Sequence, residues 1–167
     1  GAGQANTGGH DNAFFGYNAG LSNTGIDPTF GQGGSNSFFG SNAGSANTVG
    51  CCNSFYGRDA GKANTIGSNN SFFGVSAGIS NSGNDNSFYG ALAGNGNTTG
   101  ETNSFFGRDA GRNNVSGNGN TYIGAFAGNL GVVTTNTSGN NNTVVGANAG
   151  FYFGDMEYAT AIGAGAV

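Results

Sequence analysis

The chain has 167 residues, 36 of them Gly and 27 Asn, with a formal net charge of −4 and four basic side chains. Those four, Arg58, Lys62, Arg108 and Arg112, cannot match a phosphate backbone, so nucleic acid is not an expected partner. No apolar run approaches the roughly 18 residues a spanning helix needs, so membrane insertion is not expected, and no signal peptide is legible.

Leu, Ile, Val and Phe number only 30, a level that by itself suggests disorder. Yet charged residues are 7% of the chain, too few to hold it open, and ten of the 14 Phe recur at fixed places. Aromatics in register imply a packed stripe.

In chain order, a partial coil over 1–11 carries the pairs Ala2-Gly3 and Asn6-Thr7. The phrase Asn-Ala-Phe-Phe-Gly then opens at Asn12. Asn-Ser-Phe-Phe-Gly follows at Asn36, Asn70 and Asn103, with Tyr for the second Phe at Asn53 and Asn86. Looser copies open at Asn120 (Asn-Thr-Tyr-Ile-Gly) and Asn142 (Asn-Thr-Val-Val-Gly). Ala-Thr-Ala-Ile-Gly begins a last partial coil over 159–167. The steps between copies are 24, 17, 17, 16, 17, 17, 22 and 17 residues. So short and steady a period means one structural unit per repeat, each completing its neighbour's core. The expected fold is all-β: one domain over 1–167, a parallel β-solenoid (β-roll) of nine to ten coils of ~17 residues, about 45 Å long at the strand spacing.

The two long steps carry seven extra residues around Asp27–Gly33 and five around Leu130–Thr134. Extra residues at a solenoid corner bulge out as loops, so Asp27, Pro28, Phe30, Val132 and Val133 are candidate binding-loop residues. Within each unit, Gly recurs at the fifth place and Ala-Gly at the eighth and ninth. Asn-Thr follows at the twelfth and thirteenth. Glycines at fixed offsets mark corners, and the segments between them suit short strands.

The opening Asn12, Asn36, Asn53, Asn70, Asn86, Asn103, Asn120 and Asn142 form a column. An amide both donates and accepts, so the column is expected to pair along the axis as a structural ladder. The third and fourth places are both apolar and point to opposite faces of a strand. Phe38, Phe55, Phe72, Phe88 and Phe105 are assigned to the lumen. Phe15, Phe39, Tyr56, Phe73, Tyr89, Phe106 and Ile123 form an outer stripe, where a Tyr hydroxyl can reach water or a partner. That stripe is the predicted interface of a homo-oligomer.

On these phrases the whole chain resembles the β-roll head repeats of trimeric autotransporter adhesins, whose units read Asn-Ser-Val-Ala-Ile-Gly. It is similar also to the Gly/Asn-rich repeats of phage-type tail fibres and bacterial surface fibres. The resemblance implies a homotrimeric, fibrous protein that is extracellular or virion-borne. It departs from the adhesins in its longer period and in aromatics for Val and Ala.

Chemistry is sparse. His10 and Cys51 share a column two coils apart, about 9.6 Å, too far to share a metal. Cys51-Cys52 sits at a variable corner and reads as a tolerated pair of small residues, with a vicinal or intersubunit disulfide as the sharper alternative. No phosphate loop, calcium repeat or carboxylate cluster is present, so no enzyme, cofactor or metal is expected. The expected function is a rigid structural or adhesive fibre segment, with self as partner and a cell-surface receptor or glycan met by the loops. Neither end carries a polar cap, which suggests continuation or head-to-tail stacking into a filament. The alternative is an ice-binding solenoid using the thirteenth-place Thr column.

Overall fold

The computed structural model describes residues 1–25, 33–129, 137–151 and 155–167. The loop candidates Asp27, Pro28, Phe30, Val132 and Val133 lie outside them. Nine three-residue strands form where the repeat places its aromatics. They are β1 (Ala13–Phe15), β2 (Ser37–Phe39), β3 (Ser54–Tyr56), β4 (Ser71–Phe73), β5 (Ser87–Tyr89), β6 (Ser104–Phe106), β7 (Thr121–Ile123), β8 (Thr143–Val145) and β9 (Thr160–Ile162). All nine make a single parallel sheet in sequence order. Like pairs with like: Ser54 with Ser71, Phe55 with Phe72, Tyr56 with Phe73. The chain is a parallel β-solenoid.

The turns explain why so short a strand recurs. Gly at the fifth place has φ between 125° and 146° in all nine copies, from Gly163 to Gly74. A Cβ at Gly40 would lie 2.5 Å from the carbonyl oxygen of Gly57 in the next coil, so backbone stacks directly on backbone there. Two residues on, the chain enters the left-handed region whatever the side chain, from Asn42 (φ 59°) to Leu92 (φ 62°) and Phe126 (φ 60°). This turn delivers the eighth-place Ala inward. Ala19, Ala43, Ala60, Ala77, Ala93, Ala110, Ala127 and Ala149 are wholly buried. The glycine after it then closes over the lumen ring, leaving no room for a Cβ between Gly78 and Phe72.

A second ladder of backbone bonds runs down the side opposite the sheet. The N–H of Gly44 donates to the carbonyl of Ala60 at 2.9 Å, Gly61 to Ala77 at 3.0 Å and Gly78 to Ala93 at 2.9 Å. With the sheet, it ties each coil to the next on two sides. The core is a single file of third-place side chains. Phe38, Phe55, Phe72, Phe88, Phe105, Tyr122 and Val144 have no solvent exposure. Their rings stack at 4.7 to 4.9 Å from Phe38 to Tyr122. That spacing is the inter-strand distance itself, imposed by the parallel register.

From Asn36 to Asn142 the opening asparagines are buried, and of them only Asn142, whose Nδ2 donates to Asn120 Oδ1 at 3.0 Å, pairs amide to amide down the column. Each Oδ1 accepts from the backbone N–H of the next opening residue: Asn36 to Asn12 at 2.9 Å, Asn53 to Asn36 at 3.0 Å, Asn70 to Asn53 at 2.9 Å. The series runs on through Asn86, Asn103, Asn120 and Asn142 to the N–H of Ala159. Each Nδ2 meanwhile donates to a backbone carbonyl in the turn ahead of the next strand, Asn53 to Gly67 at 2.8 Å for example. The reason is position: the residue ahead of the strand has a free backbone N–H that the sheet cannot pair. Amide-over-amide pairing is the general pattern in the twelfth-place column, where Asn47 donates to Asn23 at 2.9 Å and Asn64 to Asn47 at 3.0 Å.

Candidate interface along the aromatic column

With one residue of each strand inward, its neighbour must face out. Phe39, Tyr56, Tyr89 and Phe106 are 36 to 38% exposed, Phe73 is half-buried, and Ile123 is 44% exposed. Successive rings lie nearly flat on one another. Phe39 to Tyr56 is 4.8 Å at 6°, Tyr56 to Phe73 is 4.7 Å, Phe73 to Tyr89 is 4.8 Å and Tyr89 to Phe106 is 4.9 Å. Phe15 joins less closely, 6.3 Å from Phe39. The column continues beyond Ile123 through Val145 to Ile162, two positions the sequence-predicted stripe did not include.

The stacking decides what the column offers. Tyr56, Phe73 and Tyr89 each have a ring 4.7 to 4.9 Å away on both sides and present only their edges to solvent, whereas Phe15 at the end of the column is 73% exposed. On the same strand face, two residues back, runs a half-buried column of Ser37, Ser54, Ser71, Ser87 and Ser104. The outer face is thus an apolar ridge beside a low hydroxyl shelf, with Tyr hydroxyls at Tyr56 and Tyr89.

The thirteenth-place threonines turn their protons along the stack. Thr48 Oγ1 donates to the carbonyl of Thr65 at 2.9 Å, and Thr98 Oγ1 to that of Val115 at 3.0 Å.

Titratable groups lie at the corners. Cys51 and Cys52 are free, and the Cys52 thiol donates to Cys51 Sγ at 3.0 Å. That bond first, then desolvation and the neighbouring thiol's charge, push Cys52 up to about 11. Asp155 Oδ1 accepts from Ser138 N at 2.8 Å, Thr137 Oγ1 at 3.0 Å and Thr137 N at 3.1 Å. The Ser138 bonds lead in holding its carboxyl below the usual Asp range. His10 is exposed. Among the described residues no three His, Cys, Asp or Glu side chains gather as a metal site, and no helix is long and apolar enough to cross a membrane.

The class the fold defines is a parallel β-solenoid with an outer aromatic column. No family model, curated protein or solved structure matches the chain.

Proposed function

We propose that the chain is a rigid, structural and adhesive segment of an extracellular or virion-borne fibre. Copies join along the aromatic column as a parallel homotrimer, and the inserted segments face a receptor or glycan. The observation that carries this reading is the unbroken outer column, rungs 4.7 to 4.9 Å apart from Phe39 to Phe106. A continuous apolar ridge of this kind marks an interface rather than a solvated surface.

The occupant follows from the ring geometry. A ligand that stacks on aromatic faces, as a sugar ring does, finds those faces already covered. A second copy has the same axial spacing and meets edge with edge along the whole length. Closed symmetry around a common axis buries the ridge on every copy, in keeping with the resemblance to trimeric fibre heads. Stiffness has its own source in the backbone ladders on two sides of each coil and the asparagine bonds between them. The ice-binding alternative is weakened by the Thr hydroxyls, whose protons are held by backbone carbonyls.

Sedimentation equilibrium tests the proposal. In about 0.5 M salt, where contacts between exposed charges are screened, the unaltered chain should run at three times its 16.4 kDa mass. Replacing Phe39, Tyr56, Phe73 and Tyr89 with Ser should bring it to one, with the circular-dichroism spectrum kept. A monomer before replacement overturns the reading.

A further inference from the structure

All four cations of the chain stand in two copies of one motif, Arg58-Asp59-Ala60-Gly61-Lys62 and Arg108-Asp109-Ala110-Gly111-Arg112. In each copy the aspartate takes both cations. Arg58 Nε lies 3.2 Å and Lys62 Nζ 3.3 Å from Asp59. Arg108 Nε lies 3.1 Å and Arg112 Nη1 3.2 Å from Asp109. The aspartate is the covered member, with side-chain exposures of 18% and 1% against 48 to 69% for the cations. Each clasp therefore presents one net positive charge on the turn that follows a strand, β3 in one case and β6 in the other.

The turn that precedes the strands carries the opposite sign. Glu101 stands before β6 and Glu157 before β9, both exposed. Each is steadied by an asparagine of the coil before, Asn84 Nδ2 to Glu101 at 2.8 Å and Asn140 Nδ2 to Glu157 at 2.9 Å. Asp11 and Asp85 lie on the same edge, before β1 and β5, and Asp155 lies near Glu157 before β9.

The two clasps are three strands apart, and so are the two glutamates. The glutamate pair is itself displaced from the clasp pair by three strands. We propose that these two edges form a contact between copies of this chain, laid side by side in parallel and slid by three strands. The slide is about 14 Å at the strand spacing. It puts Glu101 of one copy against the β3 clasp of the next and Glu157 against the β6 clasp. A flush alignment gives only the β6 clasp a partner, and among the described residues no other parallel shift gives both clasps an acidic one. Because the shift is not zero, the contact does not close, and it extends copy by copy into an open ribbon. It uses the corners flanking the strands rather than their aromatic face, so it stands or falls independently of the column.

Exposed ion pairs of this kind are individually weak and strongly screened by salt. The test is sedimentation velocity at about 20 mM and about 0.5 M salt, on the unaltered chain and on two variants. One variant is Arg58→Glu with Arg108→Glu, the other Glu101→Lys with Glu157→Lys. The unaltered chain should form larger species at low salt that disperse at high salt. Each variant alone should associate on the order of tenfold more weakly. An equimolar mixture of the two should recover the low-salt species, because the reversed edges complement one another. The protein with Ser at Phe39, Tyr56, Phe73 and Tyr89 should keep the salt-sensitive association. Association indifferent to salt, a mixture that stays apart, or loss of the low-salt species on removing the aromatics each overturns the proposal.

Discussion

Asn64 and Asn81 stand on successive rungs of the twelfth-place asparagine column, and they are the one described pair there that does not bond. Asn64 Oδ1 is buried with no hydrogen-bond partner. The cause is a single missing residue. The turn Asn64-Thr65-Ile66-Gly67 has four residues where Asn81-Ser82-Gly83 has three. Asn81 Nδ2 still reaches its own turn, donating to Gly83 at 2.8 Å, but makes no bond to Asn64.

Lengthening that turn should repair the rung. Inserting a Thr between Ser82 and Gly83 should raise stability by about 1–3 kcal/mol, the cost of a buried unsatisfied acceptor. The denaturant midpoint should rise while the slope of the transition stays constant. A lower midpoint would show that the short turn is the better packed one.

Phe72 and Phe73 are adjacent in sequence and should behave as residues of different proteins. Phe72→Ala opens a cavity in a single-file core and should cost about 3–5 kcal/mol in urea unfolding. Phe73→Ser removes half-buried edge area and should change subunit stability by under about 1 kcal/mol, while raising the dissociation constant for self-association. Equal losses from both would remove the distinction between lumen and outer column.

Thr102 is β-branched and holds φ at 58°, where its counterparts Asn69 and Asn141 hold 60° and 57°. Asparagine tolerates the left-handed region and threonine does not. Thr102→Asn should therefore stabilise the chain by roughly 1 kcal/mol, read as a higher melting temperature.

The thiol pair gives a kinetic prediction. With Cys52 pushed up to about 11 by the bond to Cys51, its reactive thiolate is scarce at neutral pH. Iodoacetamide labelling of Cys52, followed by mass spectrometry, should accelerate steadily as pH rises toward that value. Cys51→Ala removes the largest cause and should speed labelling at pH 8.

Asp155 supplies an acid-sensitive latch. Its carboxyl is held below the usual range by Ser138 and Thr137, so its contribution is present above the ordinary Asp pKa. That contribution is lost as pH falls from about 4 through the lowered folded value. Asp155→Asn should flatten this part of the stability profile, and the Ser138 amide resonance should titrate with the carboxyl.

The period, the strand positions and the parallel stacking are legible in the sequence because each depends on local choices repeated in register. The turns at Gly57 and Gly74 hold φ at 142° and 146°, a conformation that residues with a side chain resist, so these glycines mark where each strand ends. Alternation along a strand then divides Phe55 from Tyr56, the tyrosine hydroxyl marking the wet side. Asn53 and Asn70 were legible as a column but not in their bonding. Whether an amide meets another amide or a backbone N–H depends on the offset between coils, which no single repeat contains.

The missing rung at Asn64, the edge-on presentation of the outer rings and the three-strand offset between the clasps and Glu101 and Glu157 are facts of stacking. The sequence alone determined that Phe, Asn and Gly recur with a spacing that only a coil can satisfy. The tertiary structure decided what each coil sets beside the next. Lumen, ridge and charged edges arise from neighbours about 17 residues apart brought to the strand spacing.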